Sequence, residues 1–475
     1  MKLPFMVNKK SWQAVSPKLL PFADVVSEDL PLSRLLRLSL FQVTVGMAAT
    51  LLIGTLNRVL ILEMGVAAWL VALMVALPLV FAPFRALVGF KSDQHRSVLG
   101  WRRVPYIWIG TLLQFGGLSI MPFALILLSG DTHWPIWFSY LASALAFLLV
   151  GAGMQTTQTA GLALATDIAS EESRPRVVAL MYVMLLVGMV ISGIVFSFFL
   201  NPFTQLQLIQ VIQGAASVTL IFNIIALWKQ EARQPHLTNP TLEKPDFKES
   251  WSHFASQGKI KRFLITLGLG TAAFSMQDII LEPYGGEILH LSVSQTSLLT
   301  ALMSGGALCA FALAARWLSR DIDPYRIAGF SLLVGLLAFS AVIFAEPMNS
   351  TLLFRFGATC IGFGAGLFSV STLIIAMQIE NTGMAGMAIG AWGAVNTTAS
   401  GIAISMGGLI RDLVSDLALK GYLGDALENP AIGYQFVYHI EIYLMFATLI
   451  ALGPLVVYQR KRVSTTKFGL ADLPS

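Results

Sequence analysis

Long runs of apolar residues recur at short intervals along most of the chain. A helix needs roughly 20 apolar residues to cross a hydrocarbon layer of about 30 Å. Twelve runs have about this length or more: 37–62, 66–89, 105–129, 135–163, 177–200, 205–228, 262–285, 293–316, 326–346, 351–378, 384–409 and 434–458. Because only helices and closed barrels satisfy their own backbone in lipid, these runs predict an all-α membrane protein of about twelve transmembrane helices.

Composition supports this prediction. Apolar residues make up 56% of the 475 positions and charged residues only 12%, whereas soluble domains carry roughly a quarter charged residues. Residues 1–33 contain lysines and prolines but no short apolar stretch followed by a cleavage site, so we expect no cleavable signal peptide. Cys309 and Cys360 both fall inside apolar runs, which predicts buried thiols rather than a disulfide.

The loops differ sharply in basic residues. If the N-terminus is cytoplasmic, almost all loop lysines and arginines fall on the cytoplasmic side. The other side then holds only Arg411 and Lys420, in a loop at 410–433. The excess of positive charge inside predicts cytoplasmic N- and C-termini and an even number of helices.

Short repeats relate the two halves of the chain. Gly151-Ala152-Gly153 in the fourth run recurs as Gly364-Ala365-Gly366 in the tenth, and Asp167 then aligns with Glu380. Ile61-Leu62-Glu63 in the first run recurs as Ile280-Leu281-Glu282 in the seventh, which sets Arg58 opposite Gln277. Two pseudo-symmetric halves of six helices are the parallel repeat of the major facilitator fold, with a cavity between the halves.

The repeat divides the chain into five segments. They are a cytoplasmic N-terminal segment (1–33), an N-terminal six-helix half (34–228), a cytoplasmic central linker (229–261), a C-terminal six-helix half (262–458) and a cytoplasmic tail (459–475). Within the linker, residues 247–254 have the pattern of a short amphipathic surface helix; the alternative is a plain solvated connection.

Several polar residues lie inside the first and seventh runs. Ionisable groups in a membrane are costly and usually face a cavity or a partner. The candidates for a central site are Asn57, Arg58, Glu63, Gln277, Asp278 and Glu282. We predict that Arg58 pairs across the pseudo-twofold axis with Asp278 or Glu282. The alternative for the glutamates is a solvated position among the lipid headgroups.

A second polar group is predicted at the cytoplasmic face. The loop after the second run contains a glycine, an acid four residues later and then a basic pair, which resembles a signature of major facilitators. An acid there can hold a helix N-terminus or an arginine and so act as a latch. The candidate residues are Gly89, Asp93, Arg102, Arg103, Asp167, Arg174 and Glu380. For the arginines, simple anchoring at the membrane surface is the alternative.

Three longer runs carry a family resemblance. Residues 54–63, 92–106 and 277–286 are similar to the PucC family, the bacteriochlorophyll delivery family of the major facilitator superfamily, and the likeness extends from about residue 30 to 460. The resemblance implies a phototrophic bacterium and its inner, intracytoplasmic membrane. It also implies help in assembling light-harvesting antennae, by holding or delivering bacteriochlorophyll while antenna α and β polypeptides insert. Within the family, the chain looks more like the LhaA-like, light-harvesting 1 branch.

The resemblance also suggests partners, but it supplies no pigment-ligand set, so the ligand candidate below rests on the residues alone. Beside the lipid bilayer and the antenna polypeptides, the partners are bacteriochlorophyll synthase, the insertion machinery and the reaction centre–light-harvesting 1 complex; no nucleic acid is expected. A magnesium chlorin needs one axial ligand, often histidine. His133, His290 and His439 lie nearest the membrane, and His290 in the loop after the seventh run is the candidate. A purely structural histidine is the alternative.

Two functions from different classes remain open on the residues alone. An assembly factor requires lipid-accessible apolar surfaces, whereas a proton-coupled transporter of a small solute requires an enclosed polar cavity with a titrating acid, for which Asp278 is the best candidate. The sequence shows no nucleophile–base pair or metal-ligand spacing, so we do not expect an enzyme.

Overall fold

The computed structural model describes residues 32–80, 103–128, 135–169, 174–228, 230–231, 258–318, 320, 322–378 and 385–463. Within these residues we number twelve helices in chain order: α1 (Ser33–Glu63), α2 (Ala68–Val80), α3 (Val104–Leu128), α4 (Ile136–Ile168), α5 (Arg174–Phe199), α6 (Gln205–Leu227), α7 (Lys259–Glu287), α8 (Val293–Leu318), α9 (Pro324–Ala345), α10 (Thr351–Gln378), α11 (Ala385–Leu419) and α12 (Ala431–Val463). The described part of the chain forms no strand, which confirms the all-α prediction.

Ten of these helices are long and apolar enough to cross a membrane. The other two are α2, whose apolar part is shorter at Ala68–Leu79, and α11, which is rich in Gly, Ser and Thr. The largest difference from the predicted boundaries is at α11, which continues to Leu419 rather than ending at 409. Arg411 therefore lies on a helix, not in the loop where we predicted it. The seventh helix also begins earlier, within the predicted linker.

Local sequence explains where several helices begin. The Asp323 carboxylate accepts a hydrogen bond from the Tyr325 backbone amide at 3.0 Å, and Pro324 occupies the first position of α9. Proline suits that position because its missing N–H has no helical partner there. At the start of α6, the Thr204 hydroxyl accepts from the Gln207 amide at 3.2 Å. Both are ordinary N-caps.

We call the end of the bundle where α1 begins the inner end and the end where α1 finishes the outer end; the charge distribution predicts that the inner end is cytoplasmic. The two halves, α1–α6 and α7–α12, pack mainly through α2 against α11 and α5 against α8. Small residues allow this approach. A Cβ on Gly408 would lie 2.5 Å from the Ala72 side chain, and one on Gly193 would lie 2.8 Å from the Ala301 side chain.

Hydrogen bonds between the halves lie towards the outer end. The hydroxyls of Thr55 on α1 and Ser297 on α8 are 3.1 Å apart. Further out, the Ser294 hydroxyl donates to the Ser197 carbonyl at 2.7 Å, which joins the last turn of α5 to the first turn of α8. Interhelical bonds of this kind are a common source of cohesion where both helices lie in lipid.

The C-terminal half has a densely packed aromatic centre. Tyr284 of α7 lies within 5.6 Å, between ring centroids, of Phe354, Tyr434 and Tyr438. These rings are fully buried. Cys309 and Cys360 are free, as predicted, but Cys309 is exposed and Cys360 is half-buried, so the prediction that both are buried is wrong. Of the predicted linker segment, residues 247–254 lie outside the described residues.

The close contact between α2 and α11 gives the first testable prediction. In Gly408→Ala the new methyl would meet Ala72 and stand 2.8 Å from the Ala68 carbonyl oxygen. We expect a loss of about 1–3 kcal/mol of stability, because overfilled contacts cost this much. Thermal unfolding in detergent measures it. The matched control is Gly214→Ala, a helical glycine with open space around it, which should be neutral or gain up to about 1 kcal/mol. Equal effects of both substitutions would contradict the packing described here.

Candidate functional site

A break in α7 organises the candidate site. The helix tightens to a 3₁₀ turn at Met276–Ile279 before continuing at Leu281–Glu287. Pro283 explains the change, because its ring has no N–H to donate to the Ile279 carbonyl four residues earlier and clashes with it in a regular α-helix. The break exposes backbone groups that other helices must satisfy, since no water in a lipid core replaces them.

Two side chains from other helices contact this break. The Glu441 carboxylate of α12 accepts a hydrogen bond from the Gln277 backbone amide at 2.7 Å. From the other half of the molecule, the Asn57 side-chain amide donates to the Asp278 carbonyl oxygen at 3.2 Å. The Gln277 side chain in turn donates to the Asp278 carboxylate. The structure thus brings three of the predicted residues together across the two halves.

Two buried side-chain oxygens at the break have no hydrogen-bond partner. Glu441 is fully buried, and its Oε2 has no hydrogen-bond partner. Gln277 is 1% exposed, and its Oε1 is likewise without a partner. Asp278 is half-buried. Oxygen atoms without donors in an apolar region carry a desolvation cost, so this group is suited to take up a proton or a cation.

Glu282 lies one turn further along α7 and packs on both halves. Its Oε1 accepts a hydrogen bond from the Thr300 hydroxyl at 2.6 Å, and the residue is 4% exposed. A Cβ on Gly54 would lie 2.6 Å from the same carboxylate oxygen. Glycine at position 54 therefore lets the carboxylate rest against the backbone of α1.

Arg58 corrects a prediction. Its salt bridge is with Glu63, at 2.5 Å between Nη1 and Oε1, and not with Asp278 or Glu282. The reason is local: α1 widens to a π-helix at Val59–Glu63, where i→i+5 bonding brings residues five apart onto one side. Arg58 nevertheless joins the halves, because its Nη2 donates to the Leu291 carbonyl at 3.2 Å. The Glu63 side chain is 40% exposed.

A second charged cluster at the outer end was not predicted. Arg411 of α11 forms salt bridges with Glu287 of α7 at 2.6 Å and with Asp412 at 2.8 Å, and it lies over the Tyr434 ring at 4.5 Å. The other oxygen of Asp412 accepts from the Trp69 amide at 2.8 Å, at the start of α2 in the opposite half. A carboxylate is favourable at a helix N-terminus because of its exposed amides and positive dipole.

At the inner end, two of the residues predicted for the latch contact each other. Arg103 and Asp167 make a salt bridge of 3.0 Å between Nε and Oδ2, which joins the start of α3 to the end of α4. The Glu231 carboxylate accepts from the backbone amides of Arg103 and Val104 and so caps α3. Gln230 binds Arg34 at the start of α1. Gly89, Asp93, Arg102 and Glu380, and the side chain of Arg174, lie outside the described residues.

Sequence signals existed for some of the residues that we missed. Glu441 interrupts the apolar run of α12, so the rule that selected Arg58 also applies to it. Arg411 was noticed only as an exception to the charge asymmetry. Glu231 had no distinguishing signal, because it lies among many charged residues of the central segment. The described residues hold no group of three or more His, Cys, Asp or Glu able to bind a metal ion.

His290, the candidate pigment ligand, is exposed in the loop between α7 and α8. Its backbone adopts a left-handed conformation, with φ of 54°. Such a conformation is uncommon for a residue other than glycine and marks the tight connection at the outer end. The structure describes no hydrogen bond that orients the His290 ring.

Comparison with known structures supports the fold. A mutant of the nucleoside transporter NupG aligns with a TM-score of 0.64 at 14% identity, covering 89% of this chain and 99% of that chain. A bacterial homologue of the iron transporter ferroportin, in an inward-facing state, gives 0.64 at 14% identity over 88% of this chain and 97% of its own. These likenesses confirm the major facilitator fold and, at such low identity, carry no information on the substrate.

Curated relatives are much closer in sequence. A Rhodobacter capsulatus protein, described as an uncharacterized protein of the puhA–bchM intergenic region, is 52% identical over 96% of this chain and 97% of its own length. Protein PucC of Rhodovulum sulfidophilum is 54% identical over 84% and 89%. The bacteriochlorophyll synthase 44.5 kDa chain of Rhodobacter capsulatus is 24% identical over 92% and 98%.

A family model described as PUCC protein matches residues 55–460, a range that contains nearly all of the helical bundle and every contact at the break in α7. This match and the identity to PucC relatives confirm the resemblance seen in the sequence, and the chain belongs to the PucC family.

Proposed function

We propose that this protein is an assembly factor for light-harvesting antennae. In this proposal it binds or delivers bacteriochlorophyll while the α and β polypeptides of the light-harvesting 1 complex insert into the inner membrane. The observation that carries the proposal is the identity of about half of all positions to PucC proteins over most of the chain. The distant likeness to a chain named for bacteriochlorophyll synthase adds a link to pigment chemistry.

The surface of the bundle is compatible with such a role. Large aromatic side chains face outward at many points of the described helices, for example Phe123 on α3, Trp137 on α4 and Phe198 on α5, each more than 60% exposed. Bacteriochlorophyll and antenna helices are both lipid-soluble, so a factor that handles them meets them laterally, through apolar outer faces. A binding surface on the outside of the bundle needs no aqueous path through its centre.

A proton-coupled transporter is the second candidate, and one observation favours it. The acids Asp278 and Glu441 lie at the break in α7, and neither forms a salt bridge among the described contacts, while the salt bridge of the nearby Arg58 is with Glu63. Intramembrane acids that lack cationic partners commonly mark ion or proton pathways. The fold neighbours named as transporters share this architecture.

The absorption spectrum of the purified protein tests the first candidate. We expect protein from pigment-producing cells to carry a near-infrared chlorin band, and a deletion strain to accumulate less light-harvesting 1 complex while its bacteriochlorophyll synthesis continues. The control is protein from cells that make no bacteriochlorophyll. Colourless protein from pigmented cells, together with a normal antenna in the deletion strain, would overturn the proposal.

Substitution of Glu441 separates the two candidates. Glu441→Gln keeps an oxygen to accept the Gln277 amide but removes the ionisable group. If the protein is an antenna assembly factor that does not use proton exchange, light-harvesting 1 levels should stay close to wild type, within about twofold. A loss beyond about tenfold with normal protein level would favour the transporter. Asp416→Asn is the matched control, because Asp416 is an exposed acid that pairs only with Lys420 among the described contacts.

The outer-end contact of Arg58 can be measured by a double-mutant cycle with Arg58→Gln and Glu63→Gln. Contacting groups in a partly buried network couple by about 0.5–3 kcal/mol, so the double variant should be less destabilised than the sum of the single variants. Thermal unfolding gives the coupling, and antenna level in cells shows whether the contact serves function. The same cycle at the exposed pair Lys420 and Asp416 should give a coupling below about 1 kcal/mol. Equal coupling free energies at the two pairs would show that the Arg58–Glu63 contact stabilises the protein no more than an exposed salt bridge does.

A further inference from the structure

One face of α12 carries a polar residue where only apolar residues are expected. The helix packs against α7, α9 and α11 with one side, and the residues of the opposite side are exposed. Their spacing of three or four positions places them in one stripe along the helix. The stripe, which we call the outward face of α12, consists of Phe436, His439, Tyr443, Phe446 and Ile450.

His439 lies inside Ala431–Val456, a segment long and apolar enough to cross a membrane. It follows the first residue of this segment by eight positions, which corresponds to about 12 Å along the axis. The hydrocarbon layer extends about 15 Å from its centre to each side. Polar residues at such depth usually point into the protein, where a partner is available, and mark functional sites. His439 instead faces outward, between aromatic neighbours.

A hydrogen bond of the His439 ring determines which of its two nitrogens carries the hydrogen. Nδ1 is 2.7 Å from the Gln435 carbonyl oxygen, one turn earlier on the same helix. A carbonyl can only accept, so Nδ1 carries the hydrogen and donates it. In the neutral imidazole, Nε2 on the far side of the ring then has a free lone pair. The structure describes no protein partner for Nε2.

This arrangement is typical of a metal-binding histidine. Such residues commonly donate one ring N–H to a backbone carbonyl, which sets the tautomer and orients the other nitrogen towards the metal. A hydrated metal ion does not enter the lipid phase, but a magnesium tetrapyrrole does. Its four equatorial positions are filled by ring nitrogens and an axial position is open. The aromatic side chains of Phe436 and Tyr443, each within one turn of His439, offer flat surfaces for the macrocycle.

We propose that Nε2 of His439 is the axial ligand of a magnesium tetrapyrrole bound on the outward face of α12. The inference rests on the proposed function, because it assumes that the protein handles bacteriochlorophyll. It transfers the ligand role from His290 to a histidine that is deeper in the membrane, is oriented by a hydrogen bond and has aromatic neighbours. It also places the pigment on the outside of the bundle, where an inserting antenna helix can reach it.

The test uses full-length protein purified in detergent from a host that makes no bacteriochlorophyll. Bacteriochlorophyll a is titrated in and followed by its near-infrared absorption, and resonance Raman spectra report the coordination of the magnesium. Metal-free bacteriopheophytin a is titrated in parallel, because it has the same ring and tail but no site for an axial ligand. If His439 coordinates the metal, the magnesium pigment should bind more tightly than the metal-free pigment, by roughly tenfold for each 1.4 kcal/mol that the coordination contributes.

Two matched variants locate the ligand. His439→Leu keeps an apolar side chain on an exposed face, so the fold should be unaffected, and it should bring the affinity for bacteriochlorophyll a down to that for bacteriopheophytin a. His290→Leu changes the other exposed histidine and should leave the preference for magnesium intact. Loss of the preference in His290→Leu, or its survival in His439→Leu, would overturn the assignment while the proposed function stands. Absence of binding to the wild-type protein would overturn both.

Discussion

The structure depends on one constraint: within a lipid layer, a backbone group that loses its helical partner must find another inside the protein. Pro283 removes a donor from α7, and the helix responds with a tighter turn at Met276–Ile279. Polar side chains from two other helices contact that turn. Glu441 of α12 receives the Gln277 amide, and Asn57 of α1 donates to the Asp278 carbonyl. Polar side chains of α12 and α1 thus contact backbone groups of the tightened turn in α7.

At the outer end, side chains of each half also form hydrogen bonds with backbone atoms of the other half. Arg58 of the N-terminal half reaches the Leu291 carbonyl of the other, and Asp412 of the C-terminal half reaches the Trp69 amide in return. Arg58 and Asp412 each form a salt bridge within their own half, with Glu63 and Arg411 respectively. Each also makes one hydrogen bond to the backbone of the other half. Charge neutralisation and adhesion between the halves are thus carried by different atoms of the same side chains.

The sequence predicted the helices well because every spanning segment needs an apolar run long enough to match the thickness of the membrane. Polar residues inside apolar runs could be selected for a similar reason, and the structure places three of them, Asn57, Gln277 and Asp278, at the break in α7. The salt-bridge partners of charged residues were harder to predict. The choice of Glu63 by Arg58 depends on a π-helical stretch in α1, and the choice between α, π and 3₁₀ bonding involves small energies that no short pattern reveals. Arg411 was placed in a loop because α11 becomes polar before it ends, so hydropathy stopped the helix too early.

The contrasting turns of α1 and α7 have a consequence for how a duplicated protein diverges. Glu63 and Glu282 occupy the same position of the internal repeat, yet the side chain of the first is 40% exposed and the second residue is 4% exposed. One helix is widened just before its glutamate and the other is tightened, and four residues of 3₁₀ turn alone lengthen α7 by about 2 Å relative to an α-helix. The local helical pitch therefore differs between the two copies of the repeat. Two glutamates at equivalent positions of the repeat thus differ in exposure without any change in the amino acid itself.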